Sequence, residues 1–156
     1  MNGWLLAASC VLGWTLLVIA FIDWRHYRIP DVLTLPLLLA GLAASYVIDS
    51  ETVFYHAAGA AIGFTAFAGV AVSYRYLRKR EGMGKGDAKL LAALGAWVSY
   101  DGLPTVVLLA AGLAIFAVLI RSLGGAGLRL ADRVPFGPFL AAAGWIVWLY
   151  GPLDFG

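Results

Sequence analysis

The chain has 156 residues, of which 62% are apolar and only 13% are charged, and its mean hydropathy is +0.87. These values exclude an ordinary soluble domain and predict a protein embedded in lipid. The formal net charge of +2 gives no argument for nucleic-acid binding. The single cysteine, Cys10, excludes an intrachain disulfide and a thiolate zinc cluster.

Six apolar segments follow one another and predict an all-α fold, a bundle of about six transmembrane helices in a single membrane domain spanning residues 1–156. The segments are residues 4–22, 32–48, 53–74, 88–100, 103–120 and 135–151. Short charged, Gly-rich or Pro-rich stretches separate them. The first segment lacks a preceding basic residue and a following small-residue cleavage site, so we expect a membrane helix rather than a removed signal peptide.

Charged residues predict how the bundle is oriented in the membrane. All 11 Lys and Arg residues lie in or beside the loops that follow the first, third and fifth segments. The charged residues of the opposite side are Asp49, Glu51, Asp101 and Asp154. Because Lys and Arg are enriched on the cytoplasmic side, both termini are predicted to lie outside. The basic run at residues 75–80 is interpreted mainly as an anchor to lipid headgroups.

Two aspartates at predicted helix ends form the candidate catalytic site. Asp23 lies at the end of the first segment, in FIDWRHYRIPD, and Asp87 closes the sequence GMGKGD just before the fourth. The charge pattern puts both on the cytoplasmic face. A carboxylate at the membrane boundary is costly and is therefore a functional hypothesis. Two carboxylates in close approach share a proton, so that one acts as base and the other as acid, and can activate a water against an amide carbonyl.

The glycines around Asp87 predict a recessed loop. Gly82, Gly84 and Gly86 allow positive φ and close backbone approach, and we expect them to shape the active-site loop. The fourth segment has 13 residues, which span about 20 Å against an apolar core of about 30 Å. Asp87 is therefore expected below the membrane surface. The loop lacks the Lys-Ser or Lys-Thr ending of a phosphate-binding loop, so nucleotide binding is not predicted.

Other roles stay open for these acidic residues. Asp31 after Pro30 is a standard helix entry and is interpreted as a cap, whereas for Asp87 alone a cap and a functional role are equally compatible with the sequence. An Asp pair also suits a small proton-coupled transporter or channel subunit, although these two lie at one face rather than along a path through the midplane. A non-catalytic assembly protein with the same fold is the third possibility.

No metal or cofactor site is predicted. His26 lies in the first cytoplasmic loop and His56 near the outer end of the third segment, too far apart to share a metal. Aromatic residues near the segment ends are interpreted as interfacial belts. They include Trp4, Trp24, Trp97, Tyr100, Trp148 and Tyr150.

Three stretches, in order DWRHYRIPDVLTLPL, GMGKGDAKLLAALGAW and RVPFGPFLAAAGW, resemble the catalytic membrane domain of type IV prepilin peptidases over nearly the whole chain. The Gly-x-Gly-Asp element is shared with presenilin-type intramembrane proteases, and the Gly-Asp-x-Lys-Leu-Leu and Pro-Phe-Gly-Pro-Phe contexts make the resemblance specific. It implies a membrane-embedded aspartic endopeptidase in which Asp23 and Asp87 are the catalytic residues. Asp31 matches a family position as part of the second helix entry.

The resemblance also implies substrates and location. Family members remove the short basic leader of type IV prepilins and type II secretion pseudopilins at the cytoplasmic face of the bacterial inner membrane, typically after a Gly and before a hydrophobic stretch. The expected partners are these substrates and membrane lipid, with no cofactor, and the sequence does not predict the oligomeric state. Glu81 and the aspartate pair would attract the basic leader.

Longer members of that family carry an additional N-terminal cytoplasmic segment. It usually holds zinc in paired Cys-x-x-Cys elements, and with it these members methylate the new N-terminus of the cleaved pilin. Cys10 alone cannot rebuild that zinc site. We therefore expect a peptidase-only form, or a piece of a longer protein, without methyltransferase activity.

Overall fold

The computed structural model describes residues 3–78, 85–123 and 135–153, and every regular element in these ranges is an α-helix. The helices are α1 (Gly3–His26), α2 (Asp31–Ile48), α3 (Val53–Arg78), α4 (Lys85–Leu123) and α5 (Gly137–Tyr150). The predicted all-α fold is confirmed. The first three helices match the first three apolar segments, and α1 and α3 continue past the apolar residues into the charged sequence that follows.

The helices have the length and surface of membrane spans. Four described helical stretches, α1, α2, residues 53–76 and α4, are long and apolar enough to cross a bilayer, and α5 is a shorter apolar helix. Large apolar side chains face outward, with Trp14 73%, Val32 81% and Phe54 77% exposed. A surface of this kind is stable against lipid rather than water. The chain is therefore an integral membrane protein.

The longest helix, α4, contains both the fourth and the fifth predicted segments. Its 39 residues would measure about 58 Å if straight, about twice the apolar thickness of a bilayer. The helix is broken at Ser99, where φ is 64° and ψ is 175°. A Cβ at Gly102 would lie 2.8 Å from the Cβ of Val98, so a glycine is needed just after the break. The predicted count of six crossings stays a prediction.

The first half of α4, residues 85–98, is the centre of the bundle. Helices α2, α3 and α5 all pack against α4, and α1 packs mainly against α5. The buried residues of this half are Ala88, Leu90, Leu91, Ala92, Ala93, Leu94, Gly95, Ala96 and Trp97. Glycines bring α3 and α4 together, because a Cβ at Gly95 would collide with the backbone of Gly59, and a Cβ at Gly63 would lie 2.8 Å from the carbonyl oxygen of Leu91. Small residues commonly permit such close packing of membrane helices.

A buried tryptophan links α2 to α4. Trp97 is 3% exposed, so its prediction as an interfacial residue is wrong. Its indole N–H donates to the carbonyl oxygen of Leu37 at 2.8 Å, and Gly41 leaves the space for its ring. The ring also makes a T-shaped contact with Trp148, which donates to the hydroxyl of Ser9. An indole buried among helices needs an acceptor, and these neighbours supply one.

Candidate active site

Four helix ends lie at the same end of the bundle and meet around one side chain, Ile29. Asp23 lies in the last turn of α1, and α2 begins at Asp31. A Cβ at Gly86, in the first turn of α4, would lie 2.8 Å from the Cβ of Ile29. A Cβ at Gly137, the first residue of α5, would lie 3.1 Å from Ile29 Cδ1 and 2.5 Å from Asp23 Oδ2. The start of α4, which carries Asp87, and the start of α5, which lies against the Asp23 carboxylate, therefore both lie against Ile29.

Asp23 is a buried carboxylate at the end of a membrane helix. It is 5% exposed, and its Oδ2 accepts a hydrogen bond from the backbone N–H of Gly137 at 3.0 Å. A buried carboxylate needs such a donor to offset its lost hydration. Because this N–H belongs to the start of α5, the helix dipole also favours negative charge here.

The chain turns sharply just after Asp23. The backbone N–H of Tyr27 donates to the carbonyl oxygen of Asp23 at 2.9 Å, and Tyr27 has a φ of 51°. A left-handed residue other than glycine costs about 1–2 kcal/mol, and such residues often lie near functional sites. The turn ends α1 and directs Ile29 back towards the carboxylate of Asp23.

Asp87 lies in the first turn of α4 and is half-buried. Because α4 begins at Lys85, Asp87 is inside the helix rather than the residue before it, as a cap would be. A carboxylate in the first turn still interacts favourably with the helix dipole. The N-termini of α4 and α5 thus each have a carboxylate beside them, Asp87 and Asp23.

The structure tests one of the three glycines expected to shape the loop. Gly82 and Gly84 lie outside the described residues. Gly86 belongs to α4, and in the described part of the chain the glycine with positive φ is Gly151, so Gly86 does not use the positive φ that a glycine allows. The expected close approach is present, because Gly86 leaves room for Ile29. A helical backbone needs no positive φ, and the glycine serves packing instead.

Asp31 joins α2 to α4. The residue that precedes α2 is Pro30, and no side-chain hydrogen bond caps this helix, so the interpretation of Asp31 as a cap is wrong. Asp31 is instead the first helical residue, and its carboxylate pairs with the ammonium group of Lys89. This ion pair lies two residues beyond Asp87. It connects the start of α2 to the first turns of α4.

The sequence reasoning missed Gly137, Ile29 and Lys89 as parts of the site. The stretch RVPFGPF contains Gly137 and carries part of the family resemblance, but no local pattern in it predicts a contact with Asp23. Ile29 separates the basic and proline residues of the first loop, and no local pattern distinguishes its role. Within residues 3–78, 85–123 and 135–153, no group of three or more His, Cys, Asp or Glu side chains could hold a metal ion. Carboxylates such as those at this end of the bundle can act as general acids and bases.

Comparison with known proteins identifies a family and several relatives. The model of the type IV leader peptidase family matches residues 10–120. A prepilin leader peptidase/N-methyltransferase of Dichelobacter nodosus is 42% identical over 146 residues, which cover 94% of this chain and 49% of that protein. Its counterpart in Pseudomonas aeruginosa is 40% identical over 149 residues, covering 95% of this chain and 51% of that protein.

A shorter relative is covered along most of its length. Leader peptidase HopD of Escherichia coli is 46% identical over 125 residues, which cover 80% of this chain and 81% of that protein. The chain spans about half the length of the prepilin leader peptidase/N-methyltransferases it matches. No solved structure matches the chain. With the family model matching well over half of its residues and relatives at this level of identity, the chain belongs to the type IV leader peptidase family.

Proposed function

We propose that this chain is a membrane-embedded aspartic endopeptidase that removes the basic leader peptide from type IV prepilins or type II secretion pseudopilins. The proposed catalytic residues are Asp23 and Asp87. Membership of the type IV leader peptidase family supports the peptidase activity, and the names of the relatives support the class of substrate. The proposed location is the cytoplasmic face of the bacterial inner membrane.

The observation that carries this proposal is the burial of Asp23 between the ends of α1 and α5. Burying a carboxylate to 5% exposure in a membrane bundle is costly, and a carboxylate kept there despite this cost marks a functional site. Its partner segment, the start of α4 with Asp87, contacts the same Ile29 side chain. The bundle therefore holds one carboxylate firmly and brings the segment of the second to the same end.

The proposed reaction is an acid–base hydrolysis of one peptide bond. The ionised carboxylate takes a proton from water while the water oxygen bonds to the carbonyl carbon, and the protonated carboxyl donates to the carbonyl oxygen. When the C–N bond breaks, a proton passes to the leaving nitrogen. One water is consumed, and the products are a leader with a new carboxylate and a mature protein with a new amine.

We also propose the orientation in the membrane. Arg25, Lys85 and Lys89 lie on the helix ends that surround Asp23, which is the end expected to face the cytoplasm. The break at Ser99 lies at the opposite end of residues 85–98, where Asp101 follows it. In this orientation six helical segments cross or enter the bilayer and both termini lie outside.

The test is cleavage of a purified prepilin in detergent by the wild type and by Asp23→Asn and Asp87→Asn. Asparagine keeps the size of the side chain and removes the titratable group, so we expect each variant to lose about 10²–10⁴-fold in rate. Asp49→Asn is the matched control, because Asp49 lies in the turn between α2 and α3, where its Oδ1 accepts from the N–H of Glu51 at 3.0 Å. Near wild-type cleavage by a folded Asp23→Asn or Asp87→Asn variant would remove that residue from the mechanism.

A further inference from the structure

A groove runs along the outer surface between α1 and α5. It has a volume of about 690 Å³ and is lined by side chains of these two helices, which are almost entirely apolar. Gly13 forms part of its floor, because a Cβ there would lie 2.6 Å from the ring of Trp145. Cys10 lines the groove at one end, and Ala20 and Pro138 line it at the other.

The groove leads to the proposed active site. Ala20 lies three residues before Asp23 on α1, and Pro138 follows Gly137, whose N–H binds the Asp23 carboxylate. From Ala20 to Cys10 the groove follows ten residues of α1, or about 15 Å along the helix axis. Its inner end is therefore at the depth of the buried carboxylate, and it extends from there towards the opposite membrane face.

The groove contains an exposed tryptophan, Trp14, whose position is not explained by anchoring at the membrane interface. Trp14 is 73% exposed and lies near the middle of α1, about 16–18 Å from either end. Tryptophans that anchor helices at the membrane interface lie near the helix ends. A large exposed indole at mid-membrane, with Trp145 on the other wall of the groove, is typical of a protein contact surface.

We infer that this groove binds the apolar transmembrane helix of the substrate, the part that follows the scissile bond. The inference rests on the proposed function, because only a substrate cut at Asp23 has its apolar helix begin at this depth. The groove fits this occupant. A substrate bound with its scissile bond at Asp23 would have its polar leader beyond Asp23 and its apolar helix along the apolar walls of the groove. The groove would hold about ten residues of that helix.

Cys10 provides a direct test by disulfide crosslinking. It is the single cysteine of the chain, it is exposed, and it lies 13 residues before Asp23, or about 20 Å along α1. In an Asp87→Asn background that keeps the substrate uncut, a prepilin with single cysteines along its apolar helix should crosslink to Cys10 most strongly about 13 residues after the scissile bond. The yield should repeat every three to four residues.

The matched control moves the cysteine to another face at the same depth. Ile62 of α3 is 50% exposed, and it lies 16 residues before the end of its helix, as Cys10 does. Helix α3 makes no contact with α1 in the described part of the chain. We expect a Cys10→Ser/Ile62→Cys variant to give at least five-fold less crosslinked product. Equal yields from the two positions would overturn the inference.

Filling the groove tests the same inference by cleavage kinetics. Ala142 is exposed on the groove wall of α5 and Ala66 is exposed on α3, so Ala142→Trp and Ala66→Trp are matched. We expect Ala142→Trp to raise KM for prepilin about ten-fold with kcat within two-fold, and Ala66→Trp to change neither. An unchanged KM in Ala142→Trp would mean that the groove holds only lipid acyl chains, which overturns the inference. A wild type that does not cleave prepilin would overturn the proposed function itself.

Discussion

Replacing Gly137 with alanine places a methyl group directly against the carboxylate of Asp23. The new Cβ would lie 2.5 Å from Oδ2 and 3.0 Å from Cγ of Asp23, and 3.1 Å from Ile29 Cδ1. Ordinary van der Waals contact begins at 3.4 Å, so Oδ2 or the start of α5 must shift by about 0.9 Å. The same oxygen accepts the Gly137 N–H at 3.0 Å, so the shift also disturbs the hydrogen bond that positions the carboxylate.

Two independent estimates of the effect agree. A misplacement of about 1 Å in a reacting group costs about 100-fold in rate. Loss of a hydrogen bond to a charged group costs about 1.5–3 kcal/mol, which corresponds to about 10- to 150-fold. We therefore expect Gly137→Ala to reduce kcat for prepilin cleavage by about 100-fold.

The assay measures prepilin cleavage together with the thermal unfolding midpoint in detergent, so that activity is compared for folded protein. Gly144→Ala is the control within the same helix, since its Cβ would press on the side chain of Leu94 rather than on Asp23. It should lower the unfolding midpoint while the rate per folded molecule stays near that of the wild type. Wild-type cleavage by a folded Gly137→Ala variant would refute the role assigned to this contact.

Two further predictions concern the packing of the bundle. In Gly95→Ala, the new Cβ collides with the backbone of Gly59, so α3 and α4 must separate. We expect the free energy of unfolding, measured in denaturant, to fall by about 1–3 kcal/mol. The control Gly112→Ala, whose Cβ has no atom within 4 Å, should be neutral or slightly stabilising. In Trp97→Phe, the carbonyl of Leu37 loses its indole donor. We expect the free energy of unfolding to fall by about 0.5–2 kcal/mol. An unchanged unfolding midpoint would contradict this prediction.

The spans of the first three helices could be predicted because hydropathy alone delimits them. The segments 4–22, 32–48 and 53–74 agree with α1 to α3, and the helices are longer where charged residues such as Arg25 and Arg75 continue the helix beyond the apolar stretch. The break in α4 was expected between residues 100 and 103 and lies at Ser99. Composition does not distinguish Ser99 from the polar residues that follow it, Tyr100 and Asp101.

The candidate site could be predicted only in part. Charge placement and the Gly-Asp element identify Asp23 and Asp87 as residues of the same membrane face. The contact between Asp23 and Gly137 joins residues 114 positions apart, and it arises from the packing of α5 on α1. Trp97 was assigned to the interface because it lies near a segment end, although the neighbouring Gly41 and the carbonyl of Leu37 make a buried position possible.

The separation of Asp23 from Gly137 along the chain has a consequence for biosynthesis. Among the described helices, α1 is made before α5, so the carboxylate of Asp23 receives its backbone donor only after α5 has entered the membrane. On the proposed chemistry, an unfinished chain has the first aspartate but not the hydrogen bond and the dipole that hold it. On that chemistry, the first carboxylate of the proposed pair is fully held only once α5 has packed against α1.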